Sequence, residues 1–367
     1  MTFTELKVRL MQHGAMFTKT ARDGMRRSRF GQISFLDYAT TGGVVLVLDE
    51  RVYANVPVRF QDTPFRIDRE GERFVLQYGG EVLPVSVHIL PAPKYALDAA
   101  RLEDNTPVRE LVMTHADRTR ISPVHGCSYH CNFCTCNMPN YREIPCGQLD
   151  EAFQIALNDP YIRPRHVLIS GGTPRENMES YQWLNDIYHF FPQKYSDMEF
   201  DVMLSPRGLL PGQTGSEDYA DFLRYLHEEC GFQTMSVNLE LFNDTFREKY
   251  IPEKAVVGKP NYLLFIQRAV EIFGENSIRS SLVVGIEPYE DTLRGVKVLA
   301  EIGCLPVLSA FVPAPGTDTA NHPAPSPEDL LALVYRAEEI ASNAHMTLGP
   351  LCHPCTHNSI MVEEGEI

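Results

Sequence analysis

Three cysteines, Cys127, Cys131 and Cys134, stand in the run Gly126-Cys127-Ser128-Tyr129-His130-Cys131-Asn132-Phe133-Cys134. Thiolates separated by three and then two residues can converge on one centre from a short loop, and thiolate is the ligand that iron–sulfur clusters prefer. Three ligands leave one iron of a four-iron cluster open to an outside molecule. A zinc knuckle uses the same residue type, although zinc sites usually pair their cysteines and close all four positions. Chance spacing among nine cysteines is the third reading. Near the carboxyl terminus, Cys352 and Cys355, with His353 and His357 close by, form a half-site for metal. Cys136 or Cys146 could complete it. That pair leaves open an auxiliary iron–sulfur cluster, a zinc ion or an empty dithiol. Cys230 and Cys304 fall in helical or helix-end settings and read as packing residues.

Such ligands need a scaffold. From about Arg118, strand-like and helix-like segments alternate, the pattern of βα units on a parallel sheet. Strands are expected over 120–124, 166–170, 199–204, 233–239, 278–284 and 306–311. Helices are expected over 149–156, 178–191, 218–227, 262–273, 291–302 and 327–344. The last opens Ser326-Pro327-Glu328-Asp329, a serine N-cap with proline at the first helical position and early acidic residues. Six units over 116–345 predict an α/β fold, a partial (βα)6 TIM-like barrel with its chemistry at the carboxyl ends of the strands.

Residues 1–115 differ. A short amphipathic helix over 5–13 precedes strand-like segments at 32–36, 44–48, 52–56, 73–78 and 85–90. Gly-Gly pairs and prolines punctuate them, which predicts a small, mostly β domain. Residues 346–367 are left as a short carboxyl-terminal segment holding the cysteine pair.

The cysteine loop follows the first barrel strand, and the second runs into Gly171-Gly172-Thr173-Pro174. Glycines directly after a strand permit a tight turn and close backbone approach to a ligand, although an ordinary strand-to-helix turn looks the same. Ser205 and Arg207 end the third strand. Either could hold a carboxylate, arginine by a bidentate contact, or both could belong to a plain surface loop. Asn238 and Glu240, two apart at the end of the fourth strand, share one face. They suit a pair of hydroxyls, or are simply a polar strand end. Arg247 could reach a carboxylate or pair with Glu240. Gly285 ends the fifth strand.

The cysteine run, with aromatic Phe133 before its third cysteine, resembles the signature of the radical S-adenosylmethionine (SAM) superfamily, with a core similar to that of biotin synthase. Gly171–Pro174 resembles the family's Gly-Gly-Glu-Pro motif, with threonine replacing the glutamate. The resemblance spans roughly 118–345, and only its cysteine motif is highly specific. It implies a 4Fe–4S cluster on Cys127, Cys131 and Cys134, with the SAM amino group at Gly171, Gly172, Thr173 and Pro174. It further implies the carboxylate near Ser205, Arg207 or Arg247, the ribose at Asn238 and Glu240, and the adenine against Gly285. Reductive cleavage of SAM would then give a 5′-deoxyadenosyl radical that takes hydrogen from the substrate. A flavodoxin- or ferredoxin-type donor would supply the electron.

Charge narrows the partners. Residues 1–120 carry 17 Lys+Arg against 15 Asp+Glu, and residues 121–367 carry 16 against 33, within a net of −15. An acidic main domain repels phosphate backbones, which argues against nucleic acid as substrate. Lys19, Arg22, Arg26, Arg27 and Arg29 form a basic exception, either a solvated face or an anchor for an anion. No apolar run is long enough to span a bilayer, the first residues lack the order of a secretory signal, and an odd cysteine count fits a reducing cytoplasm. A small-molecule substrate is the leading expectation, with biosynthetic tailoring, sulfur insertion or rearrangement all open. A peptide- or protein-modifying enzyme with an auxiliary cluster is the alternative, and a non-catalytic iron–sulfur carrier the third. Residues 1–115, 137–146 and 312–325 are expected to set selectivity.

Overall fold

The computed structural model describes residues 1–27, 43–137 and 141–367. The strand expected at 32–36 and Arg29 lie outside these residues, and the side chains of Arg26 and Arg27 are likewise outside the description.

The amino-terminal region is one mixed sheet. Its strands are β1 (Ala15–Phe17), β2 (Val44–Leu48), β3 (Val52–Val56), β4 (Val58–Arg59), β5 (Phe65–Glu70), β6 (Arg73–Tyr78), β7 (Glu81–Val82) and β8 (Val87–Ile89). They run in the order β3-β2-β8-β6-β5-β1-β4, with β7 beside β6. The β-branched sequence of β2 and β3 favours a pleated, buried surface, and Asp49 and Glu50 take left-handed φ (46° and 60°) to turn one strand into the other. The first helix, Phe3–His13, starts at a capping box in which Thr2 Oγ1 accepts from Glu5 N and Glu5 Oε2 accepts from Thr2 N. It buries Phe3, Leu6 and Leu10 against this sheet.

The barrel sheet holds β9 (Val112–His115), β10 (Arg118–Ile121), β13 (His166–Ile169), β14 (Glu199–Met203), β15 (Thr234–Ser236), β16 (Ile278–Val284) and β17 (Leu305–Ala310). A separate two-stranded ribbon joins β11 (Val124–His125) to β12 (Arg142–Glu143). The order β17-β16-β15-β14-β13-β10-β9 follows the sequence, and all six strands from β10 to β17 pair in parallel. This is the partial (βα)6 barrel expected from the alternation. The helices lie at Cys146–Leu157, Met178–Lys194, Ser216–Arg224, Lys259–Phe273, Tyr289–Glu301 and Pro327–Asn343. Ser326 Oγ caps the last by accepting from Asp329 N.

One boundary moves. β9 forms an antiparallel hairpin with β10, so residues 112–115 belong to the barrel sheet, although they fall inside the expected 1–115 domain. β9 follows directly on the one-turn helix Val108–Leu111, and its four residues give no local sign of which sheet they will join.

The carboxyl-terminal segment stitches the two regions together. Ile360 N donates to Leu308 O on β17, Phe3 N to Gly365 O, and Thr4 Oγ1 to Glu363 O. Lys7, fully buried, pairs with Glu363 at 2.6 Å. Burial pushes the Lys7 pKa down, and the Glu363 carboxylate opposes that shift.

Candidate active site at the carboxyl ends of the strands

One cavity of about 280 Å³ opens where β10, β13, β14 and β15 end. Its lining includes Cys127, Cys131, Phe133, Cys134, Gly171, Gly172, Thr173, Pro174, Ser205, Arg207, Asn238 and Glu240. These residues come from four successive strand ends, so tertiary structure gathers groups that are up to 113 positions apart in sequence.

The glycines are needed by the loop beside them. A Cβ on Gly172 would lie 1.7 Å from Gly126 O and 2.6 Å from Cys127 Cα, and one on Gly171 would lie 2.9 Å from Val124 O. Close backbone approach is therefore made to the cysteine loop itself. That loop is pinned further: Thr173 N donates to Cys127 Sγ at 3.1 Å, Ser128 N to Thr173 O at 3.0 Å, and Ser128 Oγ to Pro174 O at 2.8 Å. On its other side, Asn132 N donates to Tyr250 O, and Phe133 packs on the cluster of Leu241, Ile251, Val283 and Phe311.

Burial pushes the Cys131 thiol up to about 12, opposed by the positive charge of Lys254. Cys134 and Cys136 share a hydrogen bond, with Cys136 N donating to Cys134 Sγ at 3.4 Å. The contact between the two thiols, with burial, pushes the Cys134 pKa up against that backbone donor, and the same contact pulls Cys136 down against the effect of burial. Thiols held this way become thiolates when a cation takes the proton's place.

Arg207 is only 5% exposed. Its guanidinium stacks 3.9 Å from the Tyr181 ring centroid and 4.7 Å from that of Phe222, and it donates to Asn185 Oδ1 and Gly208 O. Nη1 is buried and, among the described residues, has no acceptor. A buried cationic donor left unmatched costs free energy, and an anionic ligand in the cavity would relieve it. The surface-loop reading of this strand end is thus replaced by a fixed, buried arginine.

Glu240 adopts left-handed φ (66°), rare for a residue with a side chain and common where structure holds a group in place for function. Its Oε1 accepts from Lys254 Nζ at 2.9 Å, and Lys254 also donates to Asn238 O at 3.1 Å. Asn238 Oδ1 accepts from Ser281 N, and its amide faces Met203 Sδ. Lys254 carried no signal in the sequence. Only the short helix Pro252–Val257, folding back over the strand ends, brings it here.

Two expected residues are elsewhere. Arg247 lies outside the cavity lining, 1% exposed, with Nη1 donating to the carbonyls of Leu239 and Leu241 and Nη2 to that of Lys254. It holds the strand end by its backbone, and the Glu240 pairing goes to Lys254. Gly285 also lies outside the lining. Its φ is 106°, a Cβ there would meet Pro325 at 2.9 Å, and His322 Nε2 sits 3.2 Å from its carbonyl. The face expected to receive an adenine is covered by the loop before Ser326.

The loop 312–325 touches the cysteine loop through Thr319 Oγ1, which donates to Asn132 O at 3.4 Å, but does not line the cavity. Among the described residues, none from 1–115 lines it either, so the cavity wall belongs to the barrel. Residues 138–140, within the segment expected to set selectivity, lie outside the described residues.

Cys352 and Cys355 are not near Cys136 or Cys146. They gather with Asp117 and His166, before β10 and at the start of β13, at the amino ends of the strands. Cys136 lines the cavity, and Cys146 begins the helix Cys146–Leu157. Cys230 and Cys304 are fully buried.

No family model matches the sequence, and no curated protein matches it. Solved structures do. A radical SAM methyltransferase from Sphaerobacter thermophilus aligns at 17% identity and TM-score 0.48, over 79% of this chain and 78% of that one. HydG, a maturase of the [FeFe]-hydrogenase, aligns at 15% identity and TM-score 0.47, over 61% of this chain and 49% of that one. SuiB of Streptococcus suis aligns at 15% identity and TM-score 0.47, over 68% and 53%. The chain thus spans about half the length of HydG and SuiB. Among the described residues, no helix is long and apolar enough to cross a membrane.

Proposed function

We propose that this chain is a radical SAM enzyme acting on a small-molecule substrate. One observation carries the reading. A single cavity at the carboxyl ends of the strands joins the three clustered cysteines to a glycine turn, a buried unmatched arginine donor, and an Asn/Glu pair.

The donor set fits the two groups this implies. Cys127, Cys131 and Cys134 offer three thiols from one pinned loop, suited to a 4Fe–4S cluster with one iron left open. The cluster and SAM, when bound, supply a reductively generated 5′-deoxyadenosyl radical. The chain's own residues do the rest. The Gly171–Pro174 backbone fixes the cysteine loop and turns polar groups to the cavity. Arg207 offers Nη1 to a carboxylate, held by stacking on Tyr181 and Phe222. Asn238 and Glu240 present acceptors to hydroxyls, with Lys254 fixing the Glu240 rotamer and offsetting its charge. Tyr129, Tyr181 and Tyr188 make the remaining wall largely apolar, which limits water near a reactive carbon.

The test is anaerobic reconstitution with iron and sulfide, EPR after reduction, and chromatography for 5′-deoxyadenosine. Wild-type protein should bind about four irons and cleave SAM. The Cys127→Ala/Cys131→Ala/Cys134→Ala variant should do neither. Undiminished 5′-deoxyadenosine from that variant would sink the assignment.

A further inference from the structure

At the amino ends of the strands, on the face of the barrel away from the cavity, four side chains from three separate places in the chain meet. Asp117 lies in the turn between β9 and β10. His166 is the first residue of β13. Cys352 and Cys355 flank the opening of a 3₁₀ turn, His353–Asn358. One ligand atom from each lies within 4.8 Å of every other. His166 Nε2 is 3.3 Å from Cys355 Sγ, and Cys352 Sγ is 4.0 Å from Asp117 Oδ1.

We propose that these four residues bind one zinc ion. Zinc–sulfur bonds of about 2.3 Å and zinc–nitrogen or –oxygen bonds of about 2.0–2.2 Å give a tetrahedron whose edges are roughly 3.3–3.8 Å. The His166–Cys355 separation already matches such an edge, and the others, none above 4.8 Å, need close by no more than about 1.5 Å. The set is tetradentate and so complete, the mark of a structural site, and it mixes the sulfur, imidazole and carboxylate ligands that zinc tolerates together. A cubane cluster places its ligands on separate irons, and its ligand atoms therefore stand further apart than those sharing one ion. Cys127, Cys131 and Cys134 do not form a group of single-ion tightness.

The backbone prepares the site. Arg165 N donates to Asp117 O at 2.7 Å, locking the β9–β10 turn to the start of β13, and Cys355 N donates to Cys352 O at 2.9 Å, fixing the dithiol turn. Cys355 is buried, and the other three are partly so. Two thiolates, a carboxylate and a neutral imidazole around a dication leave one net negative charge. Arg118, whose charge acts on Cys352, Cys355 and His166, offsets it.

The ion's role is mechanical. It ties the start of the carboxyl-terminal segment to the barrel floor. The same 3₁₀ turn reaches the amino-terminal sheet, where Asn55 Nδ2 donates to Asn358 Oδ1 on its last residue. The segment then continues past β17 to the first helix. One ion thus fixes the junction of barrel, tail and amino-terminal sheet. β10 and β13, each four residues or about 10 Å long, run from this site toward the cavity and set it apart from the reacting centre.

The experiment uses the full chain in the Cys127→Ala/Cys131→Ala/Cys134→Ala background, which removes the other cysteine cluster as a competing ligand. After chelation, zinc repletion and gel filtration, metal analysis should find about one zinc per chain. Cobalt in its place should give thiolate-to-cobalt charge transfer and the intense visible bands of a tetrahedral ion. Adding Cys352→Ser and Cys355→Ser should reduce bound zinc at least tenfold. Should that variant misfold by circular dichroism, Asp117→Asn and His166→Asn, which keep both thiols, should still shift the cobalt bands and weaken zinc. Four outcomes overturn the proposal: no zinc in the background variant, undiminished zinc after the serine changes, an octahedral cobalt spectrum, or iron with sulfide in place of zinc on reconstitution.

Discussion

The two ends of the barrel treat cysteine differently. At the carboxyl ends of the strands, three thiols share one loop and face a cavity. At the amino ends, two thiols meet an imidazole and a carboxylate drawn from elsewhere in the chain, and no ligand position is left over. An open set beside a cavity can bind a further molecule and do chemistry on it; a closed set can only hold the fold. On the proposals made above, the amino-end site anchors the tail, and the carboxyl-end cavity stays open to a further molecule.

That contrast breaks most readily at Gly172. Alanine there would drive a methyl group into the Gly126 carbonyl, with no flexible side chain able to give way. Gly172→Ala should cost on the order of 3 kcal/mol and leave the reconstituted protein with well under half its iron, while zinc at the far end is unchanged. Iron analysis and urea unfolding check it. Full iron content with normal stability would mean that the glycine turn does not set the cysteine loop.

A smaller effect is expected at Arg207. Arg207→Lys keeps the charge but loses the planar stack on Tyr181 and Phe222 and the second donor edge. SAM should bind about 10- to 100-fold more weakly by calorimetry, the size of one or two charge-assisted hydrogen bonds. Unaltered affinity would place the carboxylate elsewhere in the cavity.

Lys254 sharpens the comparison least but most cleanly. Its pair with Glu240 is largely buried, and Lys254→Met leaves that carboxylate without its cation. A loss of about 2 kcal/mol is expected, less than for a fully buried pair because both side chains keep some exposure. Glu240→Gln should restore much of it, since removing both charges removes the unpaired one. If the double variant is no more stable than Lys254→Met alone, the two residues are not coupled.

The sequence made the open end legible because its signals are local. Three cysteines in one loop, glycines directly after a strand, and strand–helix alternation each need only neighbouring residues, and the six parallel strands appear within a few positions of where the pattern put them. The direction of Arg247 is not local: one turn of helix decides whether a guanidinium faces a cavity or three backbone carbonyls. The surroundings of Gly285 likewise depend on Pro325, forty residues on, which lies against the position a Cβ would take.

By itself, the sequence determined the barrel's repeating units, the cysteine loop and the polar strand ends beside it. Tertiary structure alone decided that Asp117 and His166, which lie 235 and 189 positions from their cysteine neighbours, form one site with them. It also decided that Lys254 answers Glu240. The physical reason is that periodicity and spacing report which face of an element a residue occupies, whereas a shared site depends on where separate elements pack, and an isolated aspartate, histidine or lysine carries no spacing to announce its partner.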